Sequence, residues 1–132
     1  MNKVRIVAAV LLAFPLLLFG GSFFVHPFAL PPPNGSAGIE MLHLMRNGGL
    51  TNAVAGSHFI AGVFLLVPRT RFVAALLQLP MTIGIVSFHA FMWREGIPVA
   101  LVMLLLNLIV LAERRRLRAL VAREPSPGKQ PG

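Results

Sequence analysis

Apolar residues in this chain come in long unbroken runs, with neither the stripe of an amphipathic helix nor the alternation of a half-buried strand. Four runs stand out: about Ile6 to Val25, Leu50 to Val67, Phe72 to Met92 and Ile97 to Ala112. Each is close to the roughly 17–25 residues that a helix needs to cross a bilayer core. Inside hydrocarbon a segment must satisfy its own backbone polar groups, so the runs predict helices. A transmembrane barrel would show apolar and polar positions alternating at period two. The pattern therefore predicts an all-α, four-helix transmembrane bundle over residues 1–122 and a disordered cytoplasmic tail over 123–132, where Pro, Gly and Ser gather.

The first run follows Lys3 and Arg5, as a signal peptide would. A signal peptide, however, has an apolar core of roughly 7–15 residues and then a small-x-small cleavage site. Here the run is longer and Phe23-Phe24-Val25 stands where small residues belong, so an uncleaved first span is expected.

The connections are unequal. Pro68 to Arg71 is a tight turn that makes spans two and three an antiparallel hairpin, and Arg94-Glu95-Gly96 is a tight turn at the other side. Pro98 then falls early in span four, where its missing N–H costs nothing. The first outer loop, His26 to Gly49, is long, and Pro27 and Pro31-Pro32-Pro33 exclude a regular helix at its start. Ser36 to Arg46 is expected as a short helix lying on the membrane, with Ile39, Met41, Leu42 and Met45 downward.

Charge sets the orientation. With the N-terminus inside, the inner side holds Lys3, Arg5, Arg69, Arg71 and the six basic residues of the tail, and the outer side only Arg46 and Arg94. Ten against two is a strong positive-inside asymmetry, which predicts both termini in the cytoplasm. Trp93 falls at the outer end of span three, a place that suits an amphipathic ring.

Composition agrees: 56% of residues are hydrophobic and 12% charged, against roughly 25% charged in a soluble domain. The net charge of +8 is concentrated after Glu113 and is not interleaved with aromatic residues, which argues against nucleic acid. The run Arg114, Arg115, Arg116 and Arg118 reads instead as a contact with anionic lipid headgroups. The absence of cysteine excludes disulfides, thiolate metal sites and thiol redox chemistry.

Polar residues inside the spans are few: His58, Gln78, His89 and Asn107. At 100° per residue, Gln78, Thr82 and His89 fall within roughly 40° on one face of the third span, a polar stripe expected to face the helices, not lipid. Pro80 lies in the same helix and frees the carbonyl of Leu76, so a kink and a small polar cavity are expected there. His58 and His89 lie on adjacent antiparallel helices, at depths differing by roughly 6 Å. With His26 and His43 they put all four histidines toward the outer face. Such a cluster admits a quinone or lipophile site using His58, Gln78, Thr82 and His89, a metal site, or a b-type haem between helices. None has the spacing of a ligand motif. The ordinary alternative is interhelical hydrogen bonding, and Asn107 is read that way. Gly49, Ala53, Ser57 and Ala61 recur every fourth position, a small-residue stripe for close helix packing or pairing with another chain. No catalytic nucleophile with a base, carboxylate pair or phosphate loop is present. With no carboxylate within a span and no evident inverted repeat, transport is disfavoured.

From Ala53 to Ala122 the chain resembles the DoxX-like membrane proteins. The residues that carry the likeness are Ala55-Gly56-Ser57-His58-Phe59-Ile60-Ala61-Gly62, the turn with Arg69 and Arg71, Ser87-Phe88-His89-Ala90-Phe91, the Gly96-Ile97-Pro98 turn and the exit from Arg114 to Arg118. Two positions depart from the family pattern: His58 stands where many members carry Glu, and Gly84 where many carry Asn. The resemblance implies a four-helix bundle in a bacterial cytoplasmic membrane. It also implies an accessory or assembly subunit of a membrane redox system without independent catalysis, with redox-complex subunits or a second copy as partners. A quinone-linked enzyme component and a small-molecule permeation protein are the alternatives.

Overall fold

The computed structural model describes residues 3–25 and 29–112. His26, the basic run from Arg114 to Arg118 and the segment 123–132 lie outside the described residues. The described chain is all-helical: α1 (Lys3–Val25), α2 (Ala37–Asn47), α3 (Leu50–Leu66), α4 (Arg71–Phe91), a 3₁₀ turn (Arg94–Gly96) and α5 (Ile97–Leu111). The four apolar runs correspond to α1, α3, α4 and α5, and α2 is the expected helix of the long connection. Three segments are long and apolar enough to cross a membrane: Lys3–Val25, Arg71–Phe91 and Arg94–Leu111. At 17 residues, α3 joins them only as the partner of α2 across an 85° bend, which makes the number of spans three or four.

The helices run antiparallel to their neighbours. A Cβ added at Gly20 of α1 would lie 2.6 Å from the carbonyl oxygen of Ala55 and 2.7 Å from the amide nitrogen of Phe59, both on α3. A Cβ at Gly62 of α3 would lie 2.7 Å from Leu17 Cγ and 3.3 Å from the carbonyl oxygen of Ala13 on α1. As α1 runs back from Gly20 to Ala13, α3 runs forward from Ala55 to Gly62. Helix α5 packs on α1 and α4, and α4 also on α3. Leu12, Leu16, Leu65, Phe72, Met103 and Val110 form the shared apolar core.

The buried face of α3 is Ala55, His58, Gly62 and Leu65, and the first three meet α1. The stripe of small residues is not this face: Gly49 and Ala53 are exposed, and Ser57 and Ala61 are half-buried. Close approach needs small residues on both helices, and Gly20 and Ala13 of α1 select which face of α3 is used.

Arginines close one end of the helices. Arg71 Nε donates to the carbonyl of Leu65 at 2.7 Å, and Nη2 to that of Leu66 at 3.2 Å. Arg5 Nη2 donates to the carbonyl of Ala112 at 2.9 Å. These carbonyls end α3 and α5 and have no partner within their own helices. Residues placed at this end by the orientation rule thus also cap helices.

At the other end, α2 lies across the helix termini. A Cβ at Gly38 would sit 2.9 Å from the carbonyl oxygen of Met92 and 3.3 Å from Trp93 Cβ, so the start of α2 rests on the α4–α5 turn. His43 Nε2 donates to the carbonyl of Pro31 at 2.9 Å. Of the residues expected to face the membrane, Ile39, Leu42 and Met45 are half-buried and Met41 is exposed. His43 and Arg46 are half-buried as well.

Candidate functional site

Polarity is inverted relative to a protein in water. Leu77 of α4 is 72% exposed and Phe14 of α1 68%, whereas Thr82 and Asn107 have no exposed surface. Hydroxyls along the helices bond back to their own preceding turns: Ser22 to the carbonyl of Leu18, Ser57 to Val54, Thr82 to Gln78 and Ser87 to Ile83. Each removes a donor that hydrocarbon could not satisfy.

Gln78 and Thr82 lie one turn apart on the buried face of α4. Thr82 Oγ1 donates to the carbonyl of Gln78 at 3.0 Å and accepts from Asn107 Nδ2 of α5 at 3.2 Å. The polar stripe therefore meets α5 through the one residue expected to join helices there. His58 is buried on α3, and its ring lies 5.7 Å from that of Phe19 on α1. Counting from the Arg71–Leu65 bond, His58 and Gln78 each lie about seven residues along their helices, roughly 10 Å from that end. They share a depth on neighbouring helices.

His89 is separate. Its Nδ1 donates to the carbonyl of Trp93 at 2.8 Å, and its ring fills the space that a Cβ at Gly96 would need. Trp93 Nε1 in turn donates to Glu95 Oε2 at 3.3 Å. His89 thus holds the turn between α4 and α5, while His58 faces α1. Of the four residues read as a site, Gln78 and Thr82 come together, His58 stands level with them and His89 is engaged at the end of its helix.

Three atoms in this interior are buried without a hydrogen-bond partner among the described residues: His58 Nδ1, Gln78 Nε2 and Asn107 Oδ1. Two are on residues named from the sequence for chemistry. Such atoms cost about 1–3 kcal/mol each when left unpaired. Among the described residues no group of three or more histidine or carboxylate side chains is placed to hold a metal.

Pro80 is accommodated within a continuous α4. Two clefts open elsewhere on the described surface. One, about 270 Å³, is apolar and lies between Leu11 and Pro15 of α1 and Pro98, Val102 and Leu106 of α5. The other, about 420 Å³, is lined by Phe23, Phe24, Arg46 and Asn52. Nothing in the spacing of these four residues signals a site. They meet only because Gly48 and Gly49 bend the chain sharply between α2 and α3.

Compared with protein-family models, curated proteins and solved structures, the chain matches none.

Proposed function

We propose that the chain is a four-helix transmembrane bundle of the DoxX-like kind, set in a bacterial cytoplasmic membrane with both termini inside. In this reading it serves as an accessory or assembly subunit of a membrane redox system and performs no catalysis alone. The observation that carries the membrane part is the inversion of polarity, with large apolar side chains outward and His58, Gln78, Thr82 and Asn107 inward. The redox assignment rests on the resemblance. Anionic headgroups at the inner face are met by exposed Lys3 and Arg69 and by Arg114, Arg115, Arg116 and Arg118.

Membranes from cells lacking the chain test this reading. Quinone-linked oxidation falls, and returns when either the wild type or a His58→Ala, His89→Ala variant is supplied, while the purified chain turns over nothing. Unchanged oxidation without the chain contradicts the accessory role.

A second reading is favoured by the unpaired atoms of His58 and Gln78: a quinone or similar lipophile hydrogen-bonds there, with Thr82 beside it. Organic extraction of purified wild type then yields a lipophile that the His58→Ala, Gln78→Leu variant lacks. An extract the same for both proteins contradicts it.

A further inference from the structure

The bend between α2 and α3 makes a mixed cleft that neither reading above uses. Gly49 takes φ +75°, a left-handed conformation suited to glycine, and the two helices meet at 85°. The last turn of α2 and the first turn of α3 therefore face the last turn of α1. Arg46 and Asn52 come from the first two, and Phe23 and Phe24 from the third. Among the described residues, the cleft of about 420 Å³ is thus lined by a cation and an amide on one side and by aromatic rings on the other.

We infer that this cleft binds the headgroup phosphate of an anionic phospholipid from the leaflet at that end of the helices. A guanidinium presents a planar fork of donors that matches phosphate oxygens, and the Asn52 amide adds a donor beside it. The location suits a lipid more than a soluble anion. α1, α2 and α3 begin or end here, at the level where a span leaves the hydrocarbon. Phe24 and Val25 are 61% and 72% exposed, so the cleft opens onto apolar surface along which acyl chains lie. Arg46 is also one of only two basic residues on the side that the positive-inside rule leaves poor in charge.

The inference rests on the transmembrane reading, and the test separates the two. The full chain is reconstituted in mixed vesicles of phosphatidylglycerol and phosphatidylcholine, extracted in mild detergent, and its retained lipid measured by native mass spectrometry. Wild type retains phosphatidylglycerol in preference. Retention falls about tenfold in Arg46→Gln, as expected for loss of a charge-assisted contact, and falls further with Asn52→Ala. Arg94→Gln, at the other outer basic residue, leaves it unchanged, and unchanged thermal unfolding shows that each variant is folded. Equal retention by wild type and Arg46→Gln, or an equal loss in Arg94→Gln, overturns the site. Displacement of the lipid by millimolar inorganic phosphate overturns the lipid as its occupant. Failure of the wild type to enter vesicles overturns the transmembrane reading itself.

Discussion

The α1–α3 and α4–α5 contacts hold their helices by opposite means. At α1–α3, Gly20 lies against the backbone of Ala55 and Phe59, with no room for a methyl group. At α4–α5, the helices share a buried hydrogen bond from Asn107 to Thr82. Lipid supplies no hydrophobic drive between helices, so association depends on close packing or on polar pairing. This protein uses one solution at each contact. The first is intolerant of added volume, and the second of a partner left behind.

The sharpest way to break the contrast is at Gly20. Gly20→Ala should destabilise by about 1–3 kcal/mol, because the neighbouring atoms are backbone and cannot yield. Gly62→Ala should cost less, about 1 kcal/mol, because its nearest neighbour is the Leu17 side chain. Unfolding in mixed detergent measures both, and equal losses would show that backbone proximity does not set the cost.

At the polar contact the two partners should differ. Thr82→Val leaves Asn107 with both ends of its amide unpaired and should cost about 1–2 kcal/mol. Asn107→Leu removes those groups together, and Thr82 keeps its bond to the Gln78 carbonyl, so the loss should stay below about 0.6 kcal/mol. The reverse order would mean that the hydrogen bond itself, not the unpaired remainder, governs this contact. Gly84→Ala should have the smallest effect, since a Cβ there meets nothing within 4 Å. A measurable loss at Gly84 would point to a neighbour outside the described residues.

These contacts also show what a single sequence can disclose. Four apolar runs and two short turns are legible because a helix that is to cross a membrane must meet a length and a polarity of its own. The face of Gln78 and Thr82 is legible for the same reason: a polar atom in a span must turn inward. The α1–α3 seam is not legible, because a small residue on α3 marks a contact only through Gly20 and Ala13 across from it. His58 and His89 were grouped by depth, yet their rings turn to Phe19 and to the Trp93 carbonyl. Ring direction depends on χ angles and on Gly96 leaving space, which residue spacing does not encode. The cleft at Arg46 and Asn52 was missed because it depends on the angle between α2 and α3.

In the proposed topology the helices cross a membrane with α2 outside and the α3–α4 turn inside. The chain has no cysteine, so single cysteines report on it without background. A membrane-impermeant maleimide applied to intact spheroplasts should label Ser36→Cys, beside α2, and should leave Arg69→Cys unlabelled until the membrane is opened. Labelling of Arg69→Cys in intact spheroplasts, or protection of Ser36→Cys, would contradict the account.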